Sequence, residues 1–261
     1  MYALIGYPLG HSFSADFFNS KFAREGIDDE YRLCPLKSFS EFPDFLERNP
    51  SLEGFNVTIP YKVDVIDTLD FISEEAHGIN AVNVVKIFDR ARGRAGLPCR
   101  LAGYNTDAPA FLESLKPMLR DDIDRGLVLG TGGASKAVVY ALRKLGVEPQ
   151  LVSRSPEDGE IGYDALDREL IQSHLLIINT TPLGMSPKVD TAPPLPYQYI
   201  GSDHICFDLV YNPEVTKFMS LCRSRGAVVK NGLEMLHLQA LKSWEIWNGI
   251  SRPSLRPLPE Y

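Results

Sequence analysis

The sequence predicts an α/β fold in two parts: an N-terminal α/β domain with a mixed sheet, and a Rossmann-type, doubly wound domain with a parallel sheet. Three observations predict it. Short β-forming runs alternate with helical runs up to Tyr104. From Gly126 onward the strands become continuously apolar and are separated by helices, the pattern of a parallel sheet covered on both faces. A glycine-rich turn, Gly130 to Ser135, stands between the first of these strands and a helix. A chain of 261 residues is comfortable for two domains.

Ala3 to Tyr7 is an apolar run that ends in Pro8 and Gly10, as expected of a strand leaving a core. Ser14 is expected to cap a helix that carries Phe17, Phe18 and Phe22 on one face and stops at Gly26. Tyr31 to Leu36 reads as a second strand. A helix from Ser40 to Arg48 follows, with Pro43 tolerated in its first turn. Gly54 to Ile59 reads as a third strand. Val82 to Phe88 is strongly β-forming, and Arg100 to Tyr104 is expected to pair back on it as a hairpin.

Gly126 to Leu129 is the first fully apolar strand. A helix from Ala134 to Leu145 ends at Gly146, and Gln150 to Val152 is the next strand. Further strands are expected at Leu175 to Ile178, His204 to Leu209 and Ala227 to Val229. A last helix, Gly232 to Trp247, is rich in Leu, Met and Trp and long enough to complete the first domain. The expected division is therefore 1–106 with 233–261, and 107–232, with the active site in the cleft between the domains. The Pro-rich tail from Arg252 to Tyr261 reads as an extended surface segment.

Composition excludes several classes. A net charge of −7 argues against broad binding to nucleic acid or anionic membranes. The basic stretch Lys86, Arg90, Arg92, Arg94 and Arg100 lacks aromatic platforms apart from Phe88 and reads as a solvated hairpin. The N-terminus has no basic region followed by an apolar one, and no run is long enough to span a bilayer, so a cytoplasmic protein is expected. Cys34, Cys99, Cys206 and Cys222 form no CxxC pair and have no histidine cluster beside them. They are expected to be reduced thiols rather than metal ligands.

The turn Gly130-x-Gly132-x-x-Ser135 carries cofactor chemistry. Gly130 can make the tight turn, Gly132 removes a Cβ where a pyrophosphate approaches, and the helix N-terminus at Gly133 and Ala134 offers free N–H groups to the anion. Ser135 stands where Gly or Ala is usual. A dinucleotide without a ribose phosphate needs a carboxylate at the end of the next strand. This chain offers Ser153-Arg154-Ser155, which suits the 2′-phosphate of NADP. Asp158 and Glu160 follow closely and would repel that phosphate.

Four segments beside the apolar strands are polar: His11 to Ser14, Asn56 to Lys62, Ala81 to Asn83, and Asn105 to Asp107. Their hydroxyls, amides, ammonium and carboxylate suit a small, hydroxyl-rich carboxylic acid. These segments, with Gly6 to Gly10, the Gly130 turn, Asn179 to Met185, Asp208 to Tyr211 and Asn231 to Ala240, closely resemble the shikimate dehydrogenase (shikimate/quinate dehydrogenase) family almost end to end.

The resemblance implies reversible, NADPH-dependent reduction of 3-dehydroshikimate to shikimate, a step of aromatic amino-acid (chorismate) biosynthesis. It also implies a substrate domain built from both chain ends, with the cofactor domain inserted. Lys62 and Asp107 match the family's catalytic pair. The chemistry agrees independently, because an ammonium beside the carbonyl oxygen can stabilise and protonate the alkoxide left by hydride addition. Asp107 would orient Lys62 and bind an adjacent hydroxyl. A partly desolvated Lys62 is expected.

The resemblance further assigns Ser12, Ser14 and Tyr211 to the substrate carboxylate and Thr58, Asn83 and Gln239 to ring hydroxyls. Gly232 and Met235 match positions near the nicotinamide, although a Met on this helix could equally be core. Asn56 reads as a scaffold residue holding its loop, and His11 as a neutral structural histidine. The chain departs from the family pattern at Ala15, where Pro is common, and at Val84, where Thr is frequent. The loop after Phe88 is long, and the segment after Arg154 is short and acidic. The competing readings are a quinate/shikimate paralogue with relaxed cofactor use and a non-catalytic metabolite-sensing module. The partner expected is a small molecule, with no nucleic acid or membrane, on a monomer or homodimer.

Overall fold

The structure is a computed structural model that describes residues 1–10 and 12–258. In chain order the first elements are β1 (Tyr2–Gly6), α1 (Phe13–Glu25), β2 (Tyr31–Pro35), α2 (Phe42–Arg48), β3 (Gly54–Val57), β4 (Phe71–Ser73), α3 (Glu74–Ile79), β5 (Val84–Asp89) and β6 (Arg100–Tyr104). Next come α4 (Asp107–Leu115), β7 (Arg125–Leu129), α5 (Gly133–Lys144), β8 (Glu148–Ser153), β9 (Glu160–Gly162), α6 (Arg168–Ser173), β10 (Leu176–Asn179), β11 (Ile205–Asp208), α7 (Lys217–Arg223) and β12 (Val228–Lys230). The chain ends with α8 (Leu233–Trp247) and β13 (Leu255–Pro257). It divides into two compact units, Met1–Thr106 with Gln239–Tyr261, and Asp107–Leu238.

The first unit holds a seven-stranded mixed sheet in the order β13-β4-β6-β5-β3-β1-β2. β1 pairs in parallel with both β2 and β3, and β5 runs antiparallel to β3 and β6. One face buries Ile5, Phe42, Phe55, Val57, Val85 and Leu101. The other buries an aromatic cluster of Tyr2, Phe18, Phe22, Tyr31 and Trp247. Trp247 stacks on Tyr2 at 4.6 Å and donates its indole N–H to the Val85 carbonyl, so the end of α8 is fixed to this sheet. Gly54 lies against the same indole, where a Cβ would come within 3 Å of the ring.

Two local expectations change. Helix α1 starts two residues earlier than expected: Ser12, not Ser14, is its N-cap, with its carbonyl accepting the Ala15 N–H at 3.2 Å and its hydroxyl making no cap bond. Gly26 closes the helix in the left-handed conformation, as a C-terminal glycine should. The described tail is not merely a surface segment, because Leu255–Pro257 pairs antiparallel with β4 as an edge strand. The remaining tail residues, 259–261, lie outside the described residues, as does His11.

The second unit holds a six-stranded, wholly parallel sheet in the order β12-β11-β10-β7-β8-β9. Counted within this unit the order is 3-2-1-4-5-6, that of the doubly wound dinucleotide fold. The β7, β10 and β11 strands are buried along almost their whole length, which is why they read as continuous apolar runs. Strand order reverses between β7 and β10, and the loops at their carboxyl ends form the crevice where such folds bind ligands. No helix among the described residues is long and apolar enough to cross a membrane.

Candidate active site

In the first unit the polar segments are laced together at the carboxyl ends of the central strands. Gly6 lies so close to the Thr58 side chain that a Cβ on Gly6 would be 2.5 Å from the Thr58 methyl carbon. The Tyr7 N–H donates to the Ile59 carbonyl at 3.0 Å, and the Thr58 N–H to the Ile5 carbonyl at 2.9 Å. Thr58 and Lys62 are half-buried. The Lys62 carbonyl accepts the Val82 N–H at 2.8 Å, which ties the lysine's backbone to the residue before Asn83.

Asn83 is the hub of this unit. Its carbonyl accepts the Val57 N–H at 2.9 Å and the Asn56 amide at 3.1 Å. Its Oδ1 accepts the Thr106 N–H at 2.8 Å, and its Nδ2 donates to Thr106 Oγ1 at 3.0 Å and to Gln239 Oε1 at 3.3 Å. Asn105 adds a bond from its amide to the Ala81 carbonyl at 2.9 Å. Asn83 is only 2% exposed, and its amide nitrogen is engaged on both Thr106 and Gln239. Asn56 sits in a second network. It accepts from the Tyr31 phenol at 2.8 Å and donates to Ser243 Oγ at 3.1 Å, while the Ser14 hydroxyl bonds the same phenol. Burial pushes the Tyr31 phenol well above its ordinary range, so it stays a neutral donor. Ser12 and Ser14 are both half-buried.

In the second unit, Asp107 opens α4 and is 4% exposed. Gly130 has φ +106°, a conformation reserved for glycine. Gly132 is the N-cap of α5, and no atom lies within 4 Å of where its Cβ would be. Open space over that backbone, facing the first N–H groups of a twelve-residue helix at Gly133 and Ala134, fits a dinucleotide pyrophosphate. Ser135 replaces the usual small residue without disturbing the turn: it is buried and donates its hydroxyl to the Gly132 carbonyl at 2.6 Å.

At the end of β8 the Ser153 hydroxyl bonds the Ser155 N–H and carbonyl, which shapes a turn that leaves Arg154 exposed. Arg154 faces the Tyr163 phenol, which burial raises and the guanidinium partly draws back. Of the acidic neighbours, Glu160 turns its carboxylate onto the Glu157 N–H at 3.2 Å, and Asp158 is exposed. Tyr211 has its phenol raised by burial. Gly232 lies where a Cβ would be 2.1 Å from the Leu209 carbonyl oxygen, so no side chain fits there. Met235 is 7% exposed.

Four residues to which the sequence assigned no role hold these groups or their loops: Tyr31 and Ser243 through Asn56, Thr106 through Asn83, and Asp208 through Asn179 and Val210. Thr106 was adjacent to a candidate and Tyr31 read as an ordinary strand aromatic; Ser243 is an unremarkable helix residue. Only Asp208, a carboxylate ending an apolar strand, carried a signal.

An open glycine turn at the strand-order reversal of a doubly wound sheet belongs to the dinucleotide-dependent oxidoreductases, and that is the class this fold defines. Comparison with known proteins narrows it. Residues 4–85 match the family model of the shikimate dehydrogenase substrate binding domain. The chain is 35% identical to a shikimate dehydrogenase (NADP(+)) from Carboxydothermus hydrogenoformans, over 96% of this chain and 92% of that one. It superposes with a TM-score of 0.82, at 35% identity, on a chorismate mutase/shikimate 5-dehydrogenase fusion protein from Clostridium acetobutylicum, covering 96% of this chain and 92% of the other. With the shikimate 5-dehydrogenase from Thermus thermophilus in complex with NADP(H) and shikimate, the TM-score is 0.79 at 31% identity, over 97% and 94% of the two chains. The chain belongs to the shikimate dehydrogenase family.

Proposed function

We propose that this chain catalyses the reversible, NADPH-dependent reduction of 3-dehydroshikimate to shikimate, in the cytoplasm, as a step of aromatic amino-acid biosynthesis. The observation that carries this reading is the Asn83 hub. It joins the segments of Lys62, Thr58 and Gln239 and reaches the residue before Asp107, so the groups assigned to the substrate hang from one bonded frame.

Ser12, Ser14 and Tyr211 bind the substrate carboxylate in this reading, and Thr58, Asn83 and Gln239 take its ring hydroxyls. The turn at Gly130, Gly132, Gly133 and Ala134 holds the pyrophosphate. Ser153 and Arg154 hold the 2′-phosphate, and Gly232 and Met235 border the nicotinamide. Bound NADPH supplies the hydride that reduces the substrate ketone. Lys62 Nζ donates a proton to the oxygen that gains negative charge, and in the reverse direction takes it back. Asp107 is the second member of the catalytic pair and accepts from the neighbouring hydroxyl. The partner is a small molecule; the oligomer is a monomer or homodimer.

Purified protein with shikimate and oxidised cofactor tests this through the growth of reduced-nicotinamide absorbance. Turnover with NADP exceeding that with NAD is the expected result. No turnover of shikimate with either cofactor overturns the reading, and a preference for NAD favours a quinate/shikimate paralogue instead.

A further inference from the structure

Asp208 ends β11 and has no exposed surface. A buried carboxylate is costly unless its oxygens are fully bonded. Here three donors converge on it. Oδ1 accepts the Asn179 amide at 2.9 Å and the Val210 N–H at 3.0 Å, and Oδ2 accepts the Thr216 hydroxyl at 2.5 Å. Among the described residues, a backbone N–H and two neutral side chains hold the anion.

Each donor leads to a loop at the carboxyl end of the parallel sheet. Asn179 turns its own oxygen onto the Thr181 N–H at 3.0 Å and hydroxyl at 2.6 Å. Thr180 then bonds the Leu129 carbonyl through both its N–H and its hydroxyl, directly before the Gly130 turn. Val210 precedes Tyr211, and its carbonyl accepts the Gly232 N–H at 3.3 Å. Thr216 caps α7 by accepting the Met219 N–H at 3.2 Å, and it packs 3.4 Å from where a Gly184 Cβ would be. An apolar residue here would leave three buried donors from three separate loops without an acceptor, so the carboxylate is what ties those loops into one arrangement.

We infer that Asp208 is a positioning residue for the dinucleotide: its carboxylate sets the 179–184 loop, the 209–212 loop and, through Thr180, the Gly130 turn. The inference rests on the dinucleotide reading above and names a residue that reading does not use. Asp208 is wholly buried and acts through the loops that its three bonds hold.

Asp208→Asn turns an amide against one of three donors and so changes more than one bond, which makes Thr216→Val and Thr216→Ser the decisive pair. Valine keeps the shape and removes one donor from Asp208; serine keeps that donor. Titration calorimetry with NADP on each purified full-length protein reads the effect without requiring turnover, and shikimate kinetics at saturating NADP run beside it. The expected result is an NADP affinity roughly tenfold weaker in Thr216→Val, the scale of one lost hydrogen bond to a charged group. Thr216→Ser should recover it, and kcat at saturating NADP should change less than the affinity. Equal NADP affinity in both variants, with only the melting temperature of Thr216→Val lowered, overturns the inference and leaves Asp208 a structural residue. Absence of NADP binding by the unsubstituted protein removes the cofactor reading and this inference with it. NADP binding without shikimate turnover removes only the substrate reading.

Discussion

Asn83 and Thr106 bond each other twice, once from backbone N–H to Oδ1 at 2.8 Å and once from Nδ2 to Oγ1 at 3.0 Å, immediately before the buried Asp107. Replacing Asn83 by Ala strands the Thr106 N–H in a site that is 1% exposed. A buried donor left without a partner costs about 1–3 kcal/mol. Asn83→Ala should therefore lower the urea unfolding free energy by about that amount and also reduce kcat/KM for shikimate. An unfolding curve that coincides with the parent's would show that the hub does not hold the frame.

Lys62 is half-buried and its carbonyl is anchored to the Val82 N–H, so truncating the side chain leaves the backbone in place. Lys62→Ala should lower kcat by about a hundredfold or more, the usual yield of a positioned proton donor. NADP affinity should stay within about twofold, since in the proposed arrangement the lysine meets the substrate and not the dinucleotide. Near-parental turnover in this variant would remove Lys62 from the chemistry.

Arg154 stands exposed on a turn shaped by the Ser153 hydroxyl. Arg154→Ala should raise the KM for NADP by roughly tenfold and leave the KM for NAD nearly unchanged, because only the phosphorylated ribose needs the guanidinium. A parallel rise in both would mean that the arginine supports the turn instead of reading the phosphate.

Legibility in the sequence followed how local the cause of each feature is. The strands at β7, β10 and β11 were readable because both faces are buried and their apolar runs are unbroken. The β5–β6 hairpin was readable from its β-branched residues, and the Gly130 turn from its position between strand and helix. Phe71–Ser73 and Leu255–Pro257 were not, since each is three residues long and becomes a strand only through partners distant in sequence, β6 and β13 for the first and β4 for the second. The start of α1 was misplaced because two serines stood two residues apart, and the one that caps, Ser12, makes no side-chain bond to the helix. In the site, motif residues were visible one by one, but the bonds that join them were not. Tyr31 to Asn56 spans 25 residues and Asn83 to Gln239 spans 156, distances over which spacing carries no information.

The buried Asp208 also fixes the pH dependence of stability. Burial pushes its carboxyl up to about 6, and its three hydrogen bonds only partly offset this. In the unfolded chain the same group titrates near the ordinary value of about 3.9. Below that value both states carry the proton and the group contributes no difference. Between the two values the folded state keeps a proton that the unfolded state has lost, so stability falls as pH rises through this window and levels off above the folded value. The full loss is about 3 kcal/mol for a shift of about two units. Surface carboxylates such as Glu25 and Asp122 are shifted the other way by neighbouring arginine and lysine, so the parent's total slope mixes both signs. The difference between parent and variant isolates Asp208. Urea unfolding from about pH 4 to about pH 7 should show Asp208→Asn gaining on the parent as pH rises, since asparagine cannot ionise. Thr216→Val should extend the parent's decline to higher pH, because removing a donor from the anion raises its pKa further. Curves for parent and both variants that stay parallel across this range would show that Asp208 titrates at its ordinary value and is not held as a buried anion.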